Sequence, residues 1–275
     1  MTTLSPVLTM NDGRSIPQVG LGVYKVPDEI AADVVGTALE AGYRHVDTAA
    51  LYRNEVGVGR GVAASGIPRE DLFVTTKVWN DRQGFDQTLR AFDESLDKLG
   101  MDYVDLYLIH WPVPRQNLYL ETWRALEKLH ADGRARSIGV SNFHTHHLDR
   151  LLAEATVTPV INQVELHPRL PQEKVREYGA SHGIVTEAWS PLARGRLLEN
   201  DVLARIGAKH GKSPAQVVIR WHLELGNVVI PKSVTPSRIR ENFQVFDFGL
   251  DPEDLDAIAT LNTGQRTGSD PDDAN

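Results

Sequence analysis

Four side chains with the chemistry for carbonyl reduction stand at or near the ends of apolar, strand-like runs. Asp47 ends the second run, Lys77 the third and His110 the fourth, and Tyr52 follows Asp47 in the same loop. Hydride transfer to a carbonyl creates an alkoxide, which needs a proton or a strong hydrogen-bond donor. The Tyr52 phenol can supply it, and we expect a nearby Lys77 ammonium to lower the pKa of that phenol. Asp47 would hold Lys77 charged, and His110 would orient the carbonyl.

These side chains need a scaffold that brings strand ends together, and the periodicity of the sequence predicts one. Eight short apolar runs alternate with longer segments of helical pattern, which is typical of repeated βα units around a parallel sheet. The predicted strands are 19–21, 45–48, 72–77, 104–110, 135–141, 160–165, 185–189 and 228–230. The predicted helices are 28–41, 54–65, 86–99, 119–131, 145–155, 173–182 and 213–224, with an eighth beginning at 236–242.

This alternation over 275 residues fits a (β/α)8 TIM barrel, and we predict a single domain over residues 1–275. The segment 11–14 is a strong turn signal between two short apolar runs, so we expect an N-terminal β-hairpin that closes the bottom of the barrel. The tail from Gly264 is rich in Gly, Ser, Asp and Pro, and we expect it to be irregular. A doubly wound sheet is the rival fold, but Gly20 and Gly22 lack the third glycine of a dinucleotide fingerprint.

Composition excludes several classes of protein. The formal net charge of -8 argues against a general nucleic-acid surface, and no run approaches the roughly 18 apolar residues of a membrane span. The absence of cysteine excludes disulfides, thiolate metal sites and cysteine nucleophiles. We see no secretory signal, so we expect a cytoplasmic protein.

Six spaced motifs resemble the aldo-keto reductase superfamily, in order and over nearly the whole chain. They are 42–49 with Tyr52 and 54–55, then 76–79, 106–112, 138–143, 162–168 and 230–233. The short loop after 110–112 is similar to that of the prokaryotic branch that contains the 2,5-diketo-D-gluconate reductases. The resemblance implies a (β/α)8 barrel that reduces small aldehydes, ketones or diketo compounds with NADPH.

The resemblance also implies residue roles. Asp47, Tyr52, Lys77 and His110 would form the catalytic tetrad, with Tyr52 as the proton donor. Trp189 would stack on the nicotinamide ring, at a position where many members carry Tyr or Phe. The other implied cofactor-binding residues are Ser141, Asn142 and Gln163 at the carboxamide, and Ser190, Leu192, Lys232, Ser233, Val234, Arg238, Glu241 and Asn242 along the pyrophosphate and adenosine. The cations Lys232 and Arg238, with Arg240 as a further candidate, would favour NADPH over NADH, because such cations can meet an additional phosphate.

The substrate pocket would be lined by Tyr24, Trp79, Asn80 and Trp111, which suggests a mostly apolar cleft for a small carbonyl compound. We expect no metal ligand set. The cluster of His144, His146 and His147 lies where a helix begins and lacks acidic neighbours of evident metal geometry, so we interpret it as solvated. Members of the family that this chain resembles are usually monomers, so we expect a monomer.

Two other functions stay open at this stage. The first is a nicotinamide-binding regulatory or redox-sensing subunit of the same fold, which an intact tetrad disfavours. The second is a metal-dependent barrel hydrolase that would use Asp47, His110, Glu165 and His167. Such hydrolases usually carry a paired-histidine motif near the first strand, and the sequence has none.

Overall fold

The structure, a computed structural model, describes residues 4–274. Its strands are β1 (Val7–Thr9), β2 (Ser15–Pro17), β3 (Leu21–Gly22), β4 (His45–Asp47), β5 (Phe73–Val78), β6 (Val104–Ile109), β7 (Ala135–Ser141), β8 (Ile161–Glu165), β9 (Val185–Trp189) and β10 (Val228–Val229). Its α-helices are α1 (Asp28–Ala41), α2 (Glu55–Ala64), α3 (Phe85–Leu99), α4 (Tyr119–Ala131), α5 (Thr145–Leu152), α6 (Glu173–Ser181), α7 (Asp201–His210), α8 (Pro214–Glu224), α9 (Pro236–Phe243) and α10 (Pro252–Ala259).

Strands β3 to β10 form one parallel sheet in which each strand pairs with the next along the chain. The two ends of this sheet meet at a single parallel bridge between Val19 and Val229. Backbone hydrogen bonds from Gly20 N–H to the Val229 oxygen (2.9 Å) and from Val229 N–H to the Gln18 oxygen (2.8 Å) secure the junction. The predicted (β/α)8 barrel is therefore confirmed, with one bridge in place of a regular ladder where it closes.

The N-terminal hairpin of β1 and β2 is the predicted one and lies at the amino-terminal ends of the barrel strands. Ile16 packs in an apolar cluster with Phe73 and Val228, which begin their strands. The Asp12 carboxylate in the hairpin turn accepts a hydrogen bond from Ser137 Oγ at 2.6 Å. The hairpin thus covers the bottom of the barrel and leaves the opposite, carboxyl-terminal edge open for a site.

Two helices of the structure were not predicted, α7 and α10. Each had a local signal, because Asn200 caps α7 by accepting from the N–H groups of Val202 and Leu203. Asp251 caps α10 and precedes Pro252 at its first position. Cap residues of this kind favour helix formation, but eight βα units need no further helices, so the repeat alone does not predict these two. No helix within residues 4–274 is both long enough and apolar enough to cross a membrane.

Three glycines let α2 approach its neighbours closely. A Cβ atom at Gly59 would stand 2.1 Å from the carbonyl oxygen of Leu99, and one at Gly57 would stand 2.4 Å from that of Asp28. A Cβ at Gly61 would lie 2.8 Å from the Val35 side chain. The atoms that a Cβ would meet include backbone oxygens at the ends of α1 and α3. Helix α2 can therefore pack between these two helices only if the three positions carry no side chain.

We predict that Gly59→Ala lowers the free energy of unfolding by about 1–3 kcal/mol, because the new methyl group overpacks against Leu99. Gly36→Ala, in the middle of α1 with nothing within 4 Å of the new Cβ, is the matched control. It should raise the free energy of unfolding by up to about 1 kcal/mol, the usual gain in helix propensity. Urea unfolding of both variants checks this, and equal effects would contradict the packing argument.

Candidate active site

A cavity of about 850 Å³ opens at the carboxyl-terminal edge of the barrel. Asp47, Tyr52 and His110 line it together with all four residues predicted for the substrate pocket. Of the predicted cofactor residues, Val234 alone is absent from the lining, and its side chain is exposed. Strand ends from separate parts of the sequence thus converge on one space, as in other α/β barrels.

Lys77 does not line the cavity, because it lies fully buried behind Asp47. Its ammonium donates to both Asp47 carboxylate oxygens at 2.7 and 2.8 Å and to the Thr48 carbonyl oxygen at 2.8 Å. These three acceptors use all three donors of the ammonium. Burial raises the pKa of Asp47, and the charge and hydrogen bonds of Lys77 oppose that rise. The predicted pairing of the two residues is present.

We expected a lowered pKa for Tyr52 beside Lys77, but the net shift of its pKa in this structure is upward. Burial raises the pKa of the Tyr52 phenol well above its ordinary value, and the nearby Asp47 charge raises it further. Lys77 Nζ lies 5.2 Å from the centre of the Tyr52 ring, but its charge is balanced by Asp47 and its donors are occupied. A buried phenol beside a carboxylate keeps its proton. Tyr52 is therefore a protonated phenol at neutral pH rather than a phenolate.

His110 is held neutral at the cavity wall. Burial lowers its pKa well below the ordinary value, and the positive charge of Lys77 lowers it further. The ring meets Tyr52 and Trp79 edge to face, with centres 5.7 and 5.0 Å away. Its buried Nδ1 has no hydrogen-bond partner in residues 4–274. A neutral imidazole with one nitrogen unsatisfied can give or accept a hydrogen bond at a bound polar group.

The predicted carboxamide-binding residues are linked to one another. Trp189 Nε1 donates to Asn142 Oδ1 at 2.8 Å, and Asn142 Nδ2 donates to the His110 carbonyl oxygen at 2.9 Å. Ser141 Oγ donates to the Gln163 carbonyl oxygen at 2.8 Å. Asn142 has a left-handed φ of 64°, as residues held at functional sites often do. These bonds fix the orientation of the Trp189 indole at the cavity wall.

The Gln163 side chain also reaches into the barrel interior. Its Nε2 donates to Asp47 Oδ2 at 2.8 Å and to Glu187 Oε2 at 2.9 Å. Glu187 is fully buried, and burial together with the Asp47 charge raises its pKa to about 8. Glu187 thus keeps its proton at neutral pH, which leaves Asp47 as the single carboxylate charge opposite Lys77. Sequence reasoning missed Glu187, because a glutamate inside a strand gives no sign of facing another carboxyl.

The cationic end of the cavity lies after β10. Lys232 and Arg238 both line it and are exposed. Neither forms an ion pair with a carboxylate in the part of the chain from 4 to 274, whereas Arg240 lies 3.9 Å from Glu40. Helix α9 begins at Pro236 between the two cations, and a helix N-terminus adds a partial positive charge. Two cations without carboxylate partners at this end suit a phosphate.

This chain is similar to known proteins in both sequence and structure. Residues 18–263 match the model of the aldo/keto reductase family. The chain belongs to that family. An aldo-keto reductase from Mycolicibacterium smegmatis is 58% identical over 268 residues, covering 98% of both chains. A glyoxal reductase from Bacillus subtilis is 52% identical over 273 residues, covering 99% of this chain and 98% of the relative. The crystal structure of a Gox0644 mutant in complex with NADPH superposes with a TM-score of 0.95 at 48% identity, covering 99% of this chain and 100% of that one.

Family membership confirms the predicted class of enzyme, an oxidoreductase of the aldo-keto reductases, and disfavours the hydrolase. The two carboxylates that the hydrolase would use to bind a metal ion already form ion pairs with other side chains. Asp47 is paired with Lys77, and Glu165 contacts His167 Nε2 at 3.1 Å. Burial would raise the pKa of Glu165, but hydrogen bonds from His167 and Thr267 outweigh it and lower the pKa to about 2.

The sequence did not reveal how the C-terminal tail of this reductase reaches the cavity. The tail is irregular as predicted, yet Gly268, Ser269 and Ala274 line the cavity. The backbone N–H groups of Thr267 and Gly268 donate to Glu165 at 2.6 and 3.0 Å. A Cβ at Gly268 would lie 2.6 Å from the Trp189 ring, so only glycine fits there without a shift. Other lining residues that were missed include Lys25, Arg194 and 213–215.

The interpretation of the histidine cluster as solvated is wrong for His147, which is buried. Asp272 of the tail lies 3.0 Å from His146 Nε2 and 3.3 Å from both His144 Nδ1 and His147 Nε2. This acidic neighbour is separated from the histidines by more than a hundred positions, so no local pattern could indicate it.

We predict that Lys77→Met lowers the free energy of unfolding of the reductase by about 3–5 kcal/mol, because it leaves the Asp47 charge buried without its cation. The double variant Lys77→Met/Asp47→Asn removes that charge and should recover a large part of the loss. Urea unfolding of the wild type, both single variants and the double variant gives the coupling. A double variant no more stable than Lys77→Met would contradict a buried charge as the cause.

Proposed function

We propose that this protein reduces small aldehydes and dicarbonyl compounds, of the glyoxal and methylglyoxal type, to alcohols with NADPH, and that Tyr52 is the proton donor. The observation that carries the proposal is the convergence of Tyr52, His110 and the Asp47–Lys77 pair on one cavity whose far end holds Lys232 and Arg238. Relatives with 52% and 51% identity over nearly the whole chain are a glyoxal reductase and a methylglyoxal reductase.

The residues of the cavity fit the cofactor. The indole of Trp189 presents an aromatic surface at one end, and Lys232 and Arg238 present cations at the other. When bound, NADPH supplies the hydride. Ser141, Asn142 and Gln163 would hold its carboxamide, and Lys232, Ser233 and Arg238 would hold the phosphate on the adenosine ribose.

The protein's own contribution is proton delivery and orientation. The raised pKa of Tyr52 keeps the phenol protonated at neutral pH, so it can donate to the carbonyl oxygen as negative charge develops there. Neutral His110 can hydrogen-bond the same oxygen and fix the carbonyl. Lys77 and Asp47 act through Tyr52, since their buried pair sets the charge behind the phenol.

The cavity wall suits a small and mostly apolar substrate. Tyr24 and Tyr52 have ring centres 5.1 Å apart, and Trp79 packs on His110. Trp111 completes the aromatic side, and Asn80 adds one polar group. We further propose that residues 1–275 act as one domain, as a monomer in the cytoplasm.

We predict that Tyr52→Phe slows reduction of glyoxal or methylglyoxal by roughly 100- to 10,000-fold, the usual loss on removing a general acid. The ring stays, so affinity for NADPH should change little. Loss of NADPH absorbance gives the rate, deuterated cofactor shows whether hydride transfer limits it, and quenching of protein fluorescence gives the affinity. Near-normal turnover in Tyr52→Phe, with chemistry limiting, would remove Tyr52 from its role.

We predict that Arg238→Ala weakens NADPH binding by roughly tenfold to a hundredfold and leaves NADH binding nearly unchanged. A charge-assisted hydrogen bond contributes about 1.5–3 kcal/mol, which gives this range. Arg240→Ala is the matched control, because Arg240 belongs to the same helix but lies beside Glu40 and outside the cavity lining. Equal losses for both cofactors would place Arg238 away from the phosphate.

A further inference from the structure

The histidine cluster and the tail form a second constellation outside the cavity. His144, His146 and His147 stand at the start of α5, and Asp272 comes to them from the C-terminal tail. One candidate ligand atom from each of the four residues lies within 4.8 Å of all the others. The side chains of His146 and Asp272 are 60% and 51% exposed, so an ion could enter from solvent.

The distances match the edges of a metal coordination shell. The carboxylate of Asp272 lies 3.3 Å from His144 Nδ1 and 3.0 Å from His146 Nε2. In a tetrahedral site with metal–nitrogen and metal–oxygen distances near 2.0–2.2 Å, neighbouring ligand atoms stand about 3.3–3.5 Å apart. The two contacts use different oxygens of Asp272, Oδ2 toward His144 and Oδ1 toward His146, so an ion would bring the two imidazoles onto one carboxylate from positions already within 4.8 Å of one another.

Hydrogen bonds distinguish the side chains that can bind a metal from those that only support them. His147 Nδ1 accepts from the backbone N–H of His144 at 3.1 Å, so its proton sits on Nε2, which points at Asp272. His147 is thus a donor that holds the carboxylate, and not a ligand.

His144 must change the position of its proton to act as a ligand. Arg266 donates to its Nε2 at 2.9 Å, so the proton of the neutral ring lies on Nδ1, and Arg266 also lies 3.3 Å from Asp270. Binding of a metal through Nδ1 requires that proton on Nε2, where the Asp270 carboxylate, now 4.0 Å away, could accept it after a small movement. Arg266 can move fully onto Asp270, with which it is already in contact.

We propose that His144 Nδ1, His146 Nε2 and the Asp272 carboxylate form a binding site for Zn²⁺ or a similar divalent transition metal, with water as the fourth ligand. Imidazole and carboxylate together suit such ions, whereas Mg²⁺ and Ca²⁺ prefer oxygen ligands alone. The site is independent of the proposed reduction, because none of its three ligands lines the cavity.

The site would secure the tail against the barrel. His146 belongs to α5 and His144 caps that helix, whereas the third ligand, Asp272, lies between Ser269 and Ala274, both of which line the cavity. The tail is also attached through Arg266, which contacts His144, and through Thr267 and Gly268, which donate to Glu165. A bound ion would therefore fasten the end of the tail beyond Gly268 and restrict its opening over the cavity.

We predict that the full chain, stripped with a chelator and dialysed, binds one Zn²⁺ per chain in isothermal titration calorimetry and does not bind Mg²⁺ at the same concentration. His146→Ala and Asp272→Asn each remove a ligand and should abolish this binding. His147→Ala removes a supporting donor and should weaken it by about 10- to 100-fold. His182→Ala is the control, because this exposed histidine contacts only Ser181 and Tyr178 and should bind Zn²⁺ like the wild type.

A second readout follows the tail itself. Zn²⁺ should slow hydrogen exchange of the backbone amides in residues 264–274 of the wild type and not of Asp272→Asn. Absence of saturable binding by the wild type, or binding that His146→Ala and Asp272→Asn leave intact, would overturn the proposal. Equal losses in His147→Ala and His146→Ala would overturn the ligand assignment. None of these measurements depends on reductase activity, so their outcome is separate from that of the proposed function.

Discussion

The ammonium of Lys77 sits without solvent contact in the wall of a barrel, and everything around it is arranged to balance one positive charge. Asp47 supplies the negative charge, Thr48 the third acceptor, and Gln163 holds the Asp47 carboxylate from the other side. A lone ammonium in this position would be several kcal/mol unfavourable. Glu187, one strand further on, avoids a second negative charge by keeping its proton. The barrel tolerates this polar interior because the Lys77 ammonium and the Gln163 amide each meet acceptors for their N–H groups.

This balance has a direct consequence for proton transfer. Since Asp47 neutralises Lys77, the phenol of Tyr52 experiences burial and carboxylate charge rather than a free ammonium, and its pKa rises. The resting state is therefore a protonated phenol beside a neutral His110 imidazole. In the proposed reaction both groups would stabilise negative charge on a carbonyl oxygen, and the hydrogen-bonded network behind them would need little reorganisation as that charge appears.

The tail shows how a segment without regular structure is placed by point contacts. It has no ladder or helix to hold it from Gly264 to Ala274. Its position instead depends on Glu165, whose carboxylate receives backbone donors, on the fit of Gly268 against Trp189, and on Asp272 among the histidines. Such contacts are few and partly exposed, which makes the tail the part of the cavity wall most easily altered by ligands.

The barrel and its bottom hairpin could be predicted from the sequence, because hydrophobic periodicity and turn residues are local properties. The strand-end positions also predicted that Asp47, Tyr52 and His110 meet at one edge, and the family resemblance added Lys232 and Arg238, which line the same cavity. The protonation of Tyr52 and Glu187 and the pairing of Asp272 with His146 could be learned only from the folded chain. Those properties depend on burial and on distances between residues far apart in the chain, and neither can be inferred from the pattern of neighbouring residues.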